Sequence, residues 1–274
     1  MAKKWILAVL LAGCCAAPVC ARQAQRVVSL GGTVTEIVYD LGEGGRLVAD
    51  DLSSLYPKAA TLLPRVGYYR AVPLEGVLSM KPDLVLASEN AGPPNVLDRI
   101  RALGVAVSTI SDAPSLSSLY KRVGQVAAQL GVPAKGEALA AKIRGGIEQA
   151  RALPGESRRV LLVMNRTGQL LAAGGNTAAN EILTLAGLHN VLADQQGYKP
   201  VSAEGVAALA PDMIVITSAS LKASNGLAAF LASPGIAMTP AARHRRVAVM
   251  DDLLILGLGP RTGQAIRELK KAAE

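Results

Sequence analysis

Two stretches of this chain repeat each other closely enough to restrict the folds that it can adopt. The first reads VPLEGVLSMKPDLVLAS over residues 72–88, and the second reads VSAEGVAALAPDMIVITS over residues 201–218. Glu75 corresponds to Glu204, and in both copies a Pro-Asp pair leads into an apolar, β-rich run. Each copy therefore predicts a short helix followed by a buried strand. A duplication of this kind indicates two similar halves within one chain.

Around these copies, predicted strands alternate with predicted helices. The predicted strands are 26–30, 47–49, 84–87, 105–110, 159–164 and 247–250, and the predicted helices include 34–41, 95–103, 116–130, 177–186 and 261–273. Thr33 is predicted to be the N-cap of the first helix, with Glu36 completing a capping box. Because alternation of strands and helices is typical of the α/β class, we predict two α/β lobes with central sheets.

A long predicted helix lies at mid-chain, between the two similar halves. Pro133 suits its first turn, and Leu139, Ile143 and Ile147 form one apolar stripe. At 1.5 Å per residue it is roughly 30 Å long. We interpret it as a connector between an N-terminal α/β lobe (24–132) and a C-terminal α/β lobe (155–274), the connecting helix itself being 133–154. The alternative is one more surface helix of a single domain.

Composition limits the classes of partner. Of the 274 residues, 50% are hydrophobic and 18% are charged, so the chain can build cores for two domains. The net charge of +8 is compatible with an anionic ligand or with a generally basic surface. No basic stripe is interleaved with aromatic residues, so the sequence does not predict nucleic-acid binding.

The first 21 residues have the pattern of a signal peptide. Lys3 and Lys4 precede an apolar run over residues 5–12, which is too short to span a bilayer as a stable helix. Cleavage after Ala21 would release a soluble protein, whereas the lipobox-like sequence LAGC would leave a lipid anchor on Cys14. All three cysteines lie in this segment, so the exported domain has no thiol for a disulfide, a metal site or catalysis.

Motifs of common enzyme classes are missing from the sequence. It contains no G-x-S-x-G, no H-E-x-x-H and no P-loop lysine. The two histidines, His189 and His244, are interpreted as cap or surface residues, and the acidic pairs at 50–51 and 251–252 as turn residues. We therefore predict a protein that is not an enzyme. An exported enzyme using Ser29 or Asp51 stays open as an alternative.

One short segment does predict chemistry, namely the Tyr-x-Arg pair Tyr68 and Arg70. In an extended segment residues two apart face the same way, so these side chains are expected to meet while Tyr69 points to the other face. A nearby guanidinium favours the phenolate form of tyrosine, and a tyrosine oxygen is a known axial ligand of haem iron. The alternative is that Tyr68 simply packs under the loop.

Four motifs together resemble a known family. The sequences RVVSLGGTVTEI, VGYYR, EGVLSMKPDLVLASE and AGGNTAANEI are similar to those of periplasmic haem-binding proteins of bacterial haem uptake ABC transporters. The similarity extends from Arg26 to the C-terminal helix. The general frame is shared with carriers of cobalamin and ferric siderophores, and the Gly-Tyr-x-Arg segment distinguishes the haem subgroup. The resemblance implies two α/β lobes joined by one long rigid helix, with the ligand held in the cleft between them.

The resemblance also implies roles for single residues. Tyr68 corresponds to the axial ligand of ferric haem, and Arg70 to its hydrogen-bonding or charge partner. Glu75 and Glu204 correspond to the glutamates that form salt bridges with the permease dimer in the inner membrane. Weaker candidates for lining the cleft or meeting a propionate are Arg166, Asn176, Tyr198 and Arg261.

The resemblance therefore implies that the protein acts in the periplasm and that haem is its transported ligand. Some members of the family hold a second haem through a histidine near residues 163–168, but this chain reads VMNRTG there, so one haem is predicted. The rival reading on the same fold is a carrier of a ferric siderophore or cobalamin. A surface haemophore or interaction protein, held by a lipid anchor without a cognate permease, is a further alternative.

Overall fold

The computed structural model describes residues 23–166 and 168–274, without the side chain of Arg166. The predicted signal peptide (1–21), with the possible lipid anchor at Cys14, lies outside these residues. Within them, no helix is both long and apolar enough to cross a membrane. The described part is an α/β structure with two separate sheets, which confirms the predicted fold class.

The first half of the chain builds a four-stranded sheet in which all strands run parallel. The strand order is β2-β1-β3-β4. The bounds are β1 Val27–Leu30, β2 Leu47–Asp50, β3 Leu84–Ser88 and β4 Ala106–Ile110. Strands β1 and β3 are buried along their whole length, as expected for parallel strands that helices cover on both faces.

The second half builds a six-stranded mixed sheet. Its order is β10-β9-β5-β6-β8, and β7 pairs with the first part of β5. The bounds are β5 Arg159–Arg166, β6 Gln169–Ala173, β7 His189–Asn190, β8 Tyr198–Pro200, β9 Met213–Thr217 and β10 Val247–Met250. Strands β10, β9 and β5 run parallel, whereas β6 is antiparallel to both of its neighbours.

Helices connect the strands in both halves. The bounds are α1 Gly32–Asp40, α2 Leu74–Ser79, α3 Pro94–Ala102, α4 Leu116–Gln129, α5 Pro133–Ala152, α6 Ala178–Leu185, α7 Ala203–Leu209, α8 Ser218–Ala223, α9 Leu227–Ala232, α10 Pro240–Arg243, α11 Asp252–Leu256 and α12 Thr262–Ala273. Short 3₁₀ turns cover Gly44–Arg46, Ala60–Leu62 and Ile236–Met238. Helices α2 and α7 are the two copies of the repeated helix, and each leads into a central strand.

The duplication extends to matching side-chain contacts at the N-terminal ends of the parallel strands. The Asp83 carboxylate accepts the Arg26 N–H at 2.9 Å, and the Arg26 guanidinium donates to two carbonyls just after α2. In the second half, the Asp212 carboxylate accepts the Arg159 N–H at 3.3 Å, and the Arg159 guanidinium donates to two carbonyls at the end of α7. Each arginine therefore satisfies helix carbonyls that would lack a partner, and each aspartate fixes the start of a strand.

Helix α5 occupies the place of the predicted connecting helix. Its apolar stripe of Leu139, Ile143 and Ile147 is buried, as predicted, and the helix packs against α4 and α12. The buried apolar cluster around this stripe includes Leu119 of the first half and Ile266 of the second. The two halves thus share one continuous apolar interior, to which α5 contributes.

The start of α1 differs from the sequence prediction. Thr33 is not the N-cap, because the helix begins at Gly32 and Gly31 takes the N-cap position without a side-chain hydrogen bond. Gly31 has a φ of 118°, a backbone conformation that favours glycine. Glu36 does not close a capping box, since its buried side chain pairs with Arg261 of the second half.

Candidate functional site

A cavity of about 550 Å³ lies between the two halves of the chain. Its wall from the first half consists of loops that follow β1, β2, β3 and β4, together with residues 68–70. Its wall from the second half comes from residues 176–178, 197–198 and 252–258. The carboxyl ends of parallel strands are the usual place for ligand sites in α/β proteins, so this cavity is the candidate site.

The segment that carries Tyr68 runs alongside the end of β2. Three backbone hydrogen bonds of 2.8–3.1 Å join residues 64–67 to residues 50–52. The chain then reverses, because the Ala71 N–H donates to the Tyr68 carbonyl at 2.8 Å. Tyr69 and the following arginine therefore occupy the central positions of a tight turn, and this turn lines the cavity.

The turn places the side chains of Tyr68, Tyr69 and Arg70 together. The rings of Tyr68 and Tyr69 lie 5.0 Å apart, edge to face, with an interplanar angle of 73°. The Arg70 guanidinium lies 4.9 Å from the centre of the Tyr69 ring. The expectation that Tyr69 points to the opposite face is wrong, because the segment is a turn and not an extended strand. Both tyrosines line the cavity.

Arg70 interacts with both phenol groups. Partial burial lowers the pKa of Arg70, but the hydrogen bonds and charges of Tyr68 and Tyr69 outweigh it, so that the pKa is raised overall. Burial raises the pKa of the Tyr69 phenol above its ordinary value, although Arg70 acts in the opposite direction. Tyr69 therefore stays a neutral phenol at physiological pH.

Arg122 also lines the cavity, and the sequence analysis missed it. This side chain is 1% exposed, and its Nη2 forms an ion pair with Asp112 at 2.8 Å. Its Nη1 donates to the Leu258 carbonyl at 2.8 Å. Burial lowers the pKa of Arg122, while Asp112 opposes this effect. Since Leu258 belongs to the second half, Arg122 joins the two walls of the cleft.

The sequence contained a signal for Arg122. Leu119, Val123 and Val126 form the buried face of α4, and Arg122 lies on this same face. A charged residue within an apolar helical stripe is rarely buried unless it is paired. A search for such exceptions would have identified Arg122.

The rest of the cavity wall combines apolar and polar side chains. Leu52 and Leu55 of the first half, both exposed, face a wall that includes Leu253 and Leu258. The predicted cleft residues Asn176 and Tyr198 both line the cavity from the second half. The described residues hold no cluster of three or more His, Cys, Asp or Glu suited to a metal ion.

The two remaining cleft candidates are Arg166 and Arg261. Arg166 ends β5, and its side chain lies outside the described part of the structure. Arg261 is not among the residues that line the cavity; its Nε donates to Glu36 at 2.9 Å, and its guanidinium stacks 3.7 Å from the Tyr56 ring centre. A role for Arg261 at a propionate stays a prediction that these contacts do not favour.

The paired glutamates occupy equivalent positions in the two halves. Glu75 lies in the first turn of α2 and Glu204 in the first turn of α7, and both are exposed. Hydrogen bonds from its own backbone N–H and from Ser202 lower the pKa of Glu204. Helix N-termini favour such negative charges. Both carboxylates are therefore available at the surface.

Comparison with known proteins identifies the family. A family model described as "Periplasmic binding protein" matches residues 27–254. Among the curated relatives, the vitamin B12-binding protein of Yersinia pestis (strain Pestoides F) is 31% identical over 208 residues, which are 75% of this chain and 74% of that protein.

Two solved structures are more similar. The periplasmic heme-binding protein RhuT from Roseiflexus sp. RS-1, in apo form, is 41% identical with a TM-score of 0.86, covering 91% of this chain and 97% of that one. The periplasmic heme-binding protein BhuT, in complex with two hemes, is 40% identical with a TM-score of 0.84, covering 90% and 97%. These neighbours confirm the resemblance noted in the sequence. The chain belongs to the periplasmic binding protein family, and it is a binding protein and not an enzyme.

Proposed function

We propose that this protein captures haem in the periplasm and delivers it to an ABC importer of the inner membrane. The observation that carries the proposal is the turn that brings Tyr68 and Arg70 to the cavity between the two halves. Structural neighbours at 41% and 40% identity that are named heme-binding proteins support it. The alternative of an exported enzyme loses its support, because Ser29 and Asp51 are buried in hydrogen-bond networks.

The chemistry of the cavity fits ferric haem as the transported ligand. Tyr68 would supply a phenolate oxygen as axial ligand, a role that tyrosine has in other haem proteins. Arg70 would be the partner of the coordinating oxygen, since its guanidinium hydrogen-bonds with the Tyr68 side chain. The leucines of both walls would contact the porphyrin faces, and a volume of about 550 Å³ is typical of ligand pockets.

Cobalamin is the rival ligand, because relatives named vitamin B12-binding proteins are 31% identical to this chain. A ferric siderophore on the same fold is the second rival. The phenol and guanidinium on one turn favour haem, since they provide an axial ligand and its partner. Visible absorption after addition of haemin, and separately of cobalamin, distinguishes the ligands.

We propose a stoichiometry of one haem. The stretch 163–168 contains no histidine that would hold a second. BhuT, however, is described in complex with two hemes, so stoichiometry needs a direct test. A haemin titration is expected to show a single break at one equivalent, and a break at two equivalents would contradict this part of the proposal.

The ligand assignment is tested by substituting the two tyrosines in turn. We expect Tyr68→Ala to abolish the ferric charge-transfer band and most of the haem affinity. Tyr69→Phe is the matched control, because it keeps the ring that packs on Tyr68 and removes only a neutral hydroxyl, leaving Arg70 its contact with Tyr68. Unchanged haem binding in Tyr68→Ala, or loss of the band in Tyr69→Phe alone, would refute the assignment of Tyr68.

Delivery would use Glu75 and Glu204 as the contacts with a two-fold symmetric permease, which presents the same patch twice. Both carboxylates are exposed, and they occupy the same place in the duplicated halves. Charge reversal at both positions is expected to leave haem binding intact and to abolish uptake in reconstituted vesicles. Equal loss of haem binding would move these residues from the docking face to the ligand site.

The proposal includes the organisation of the whole chain. Residues 1–21 would direct export, with cleavage after Ala21 or lipid attachment at Cys14, and mass spectrometry of the mature protein separates these routes. Residues 24–132 and 155–274 would be the two lobes, and 133–154 the connecting helix. A continuous helical connector implies modest lobe motion rather than wide hinge closure.

A further inference from the structure

We propose that Asp51 is the positioning residue for the tyrosine that would hold the iron. The inference rests on the proposed function, since it concerns the geometry of the Tyr68 turn. Asp51 is 0% exposed. Its carboxylate accepts five hydrogen bonds, from the N–H groups of Gly31 (2.9 Å), Ser53 (2.9 Å) and Tyr69 (3.2 Å) and from the hydroxyls of Ser53 (2.9 Å) and Ser54 (3.2 Å).

These donors belong to three segments that line the cavity. The segments are the turn after β1, the loop after β2 and the turn at residues 68–70. One buried carboxylate thus fixes the positions of all three relative to each other. A buried charge is tolerated only where hydrogen bonds satisfy it, and water cannot replace lost donors at a site without exposure. All five hydrogen bonds of Asp51 can therefore form only when the three segments have this arrangement.

The contact to the Tyr69 N–H transmits this constraint to the proposed ligand. Tyr69 follows Tyr68 directly, in a turn closed by the Ala71 N–H, and the two rings lie 5.0 Å apart. A shift of the Tyr69 backbone therefore shifts the Tyr68 ring as well. Coordinating groups must be held within about 0.5 Å of the productive geometry by the residues around them. Asp51 supplies this support without contacting the ligand.

The test compares Asp51→Asn with the wild-type protein. Asparagine keeps the size, but its NH₂ group faces N–H donors with which it cannot bond. We expect the variant to bind haemin, to show a shifted ferric charge-transfer band, and to release haem to excess apomyoglobin about tenfold faster or more, as expected for lost hydrogen bonds to a buried carboxylate. A purely structural role would lower the melting temperature without moving the band or the release rate.

Asp83→Asn is the matched control. Its carboxylate also accepts backbone N–H groups, from Gln25 and Arg26, but at the other end of the sheet. It is expected to lower the melting temperature and to leave the band and the release rate unchanged. Should Asp51→Asn not fold, Ser53→Ala removes one of the five donors and is expected to change the band and the rate in the same direction, to a smaller extent.

The outcomes separate this inference from the proposed function. If Tyr68→Ala abolishes the band while Asp51→Asn and Ser53→Ala match the wild-type protein, the role of Asp51 is refuted and the haem assignment stands. If the wild-type protein does not bind haemin, or Tyr68→Ala keeps the band, the proposed function is refuted, and the inference about Asp51 is refuted with it. A band that shifts equally in Asp51→Asn and Asp83→Asn would also overturn the inference.

Discussion

Asp50 and Asp51 are neighbours at the end of β2, yet their carboxylates are in opposite situations. Asp51 accepts five hydrogen bonds, whereas neither carboxylate oxygen of Asp50 accepts one from the residues that the structure describes. The Arg65 Nη1 lies 3.0 Å from Asp50, but the N–H direction does not suit a hydrogen bond. Burial raises the pKa of Asp50 to about 7, although Arg65 acts against this.

This raised pKa predicts a pH dependence of stability. An unfolded aspartate has a pKa of about 3.9, so between roughly pH 4 and pH 7 the folded protein holds the extra proton. The contribution of Asp50 to stability is then present below the unfolded pKa and is lost as pH rises through about 7. We expect Asp50→Asn to flatten the dependence of the unfolding free energy on pH between pH 4 and pH 7, measured by urea denaturation.

The size of this effect has an upper bound of about 4 kcal/mol, from three pKa units at 1.36 kcal/mol each. Asp98→Asn is the control, because Asp98 is an exposed carboxylate whose side chain is 71% accessible, and it is expected to leave the slope unchanged. Identical slopes in Asp50→Asn and the wild-type protein would show that Asp50 ionises normally in the fold.

Single residues also show which parts of the site can be predicted from sequence. Four of the predicted cleft residues line the cavity, namely Tyr68, Arg70, Asn176 and Tyr198. They could be predicted because three of them belong to the motifs of the resemblance and Tyr198 lies beside one of these loops. The position of Tyr69 was predicted wrongly, since a local extended pattern cannot reveal a turn closed by backbone hydrogen bonds. The bonds of Asp51 join segments up to 20 residues apart, and such contacts leave no periodic signal.

At the scale of elements, glycine determines how closely α5 and α12 approach. A Cβ atom on Gly263 of α12 would lie 2.7 Å from the carbonyl oxygen of Gly146 in α5, a distance that requires the helices to move apart. We expect Gly263→Ala to lower the free energy of unfolding by about 1–3 kcal/mol through overpacking. Urea denaturation monitored by circular dichroism measures this loss.

Gly145→Ala is the matched control on the facing helix. A Cβ atom at Gly145 meets nothing within 4 Å, and alanine is favoured over glycine inside a helix by about 0.5–1 kcal/mol. This variant is therefore expected to be slightly more stable than the wild-type protein. A stabilising Gly263→Ala, or equal effects at both positions, would contradict the close approach of the two helices.

The elements of the first half were predictable to within one or two residues, because apolar periodicity, glycine turns and proline starts agree there. The second half was harder. Strand β6 pairs with β5 antiparallel, but its sequence QLLAA leads into two glycines and was not among the predicted strands. Helices α8 to α11 have 4–6 residues each. Tertiary packing determines elements this short, and local propensity does not reveal them.

At the scale of the whole molecule, two arginine side chains, one buried and one partly buried, join the halves. The Arg122 guanidinium reaches the Leu258 carbonyl, and Arg261 binds Glu36 through Nε at 2.9 Å and Nη2 at 3.2 Å. Bidentate pairs of this kind fix orientation as well as distance. Together with the shared apolar interior, they oppose separation of the two halves.

The pair of Glu36 and Arg261 gives a test of this coupling between the halves. Burial raises the pKa of Glu36 to about 6 although Arg261 lowers it, so the stabilisation by Glu36 is present below its unfolded pKa and is lost as pH rises through about 6. In Arg261→Ala this pKa must rise further, because the cation is lost. We expect the variant to lose about 3–5 kcal/mol at pH 8, as for a buried charge left unpaired, and clearly less at pH 5. Arg261 also packs on Tyr56, so a double-mutant cycle with Glu36→Gln isolates the pair.

If the loss of stability in Arg261→Ala is equal at pH 5 and pH 8, and the coupling energy with Glu36→Gln is zero, Glu36 does not join the halves.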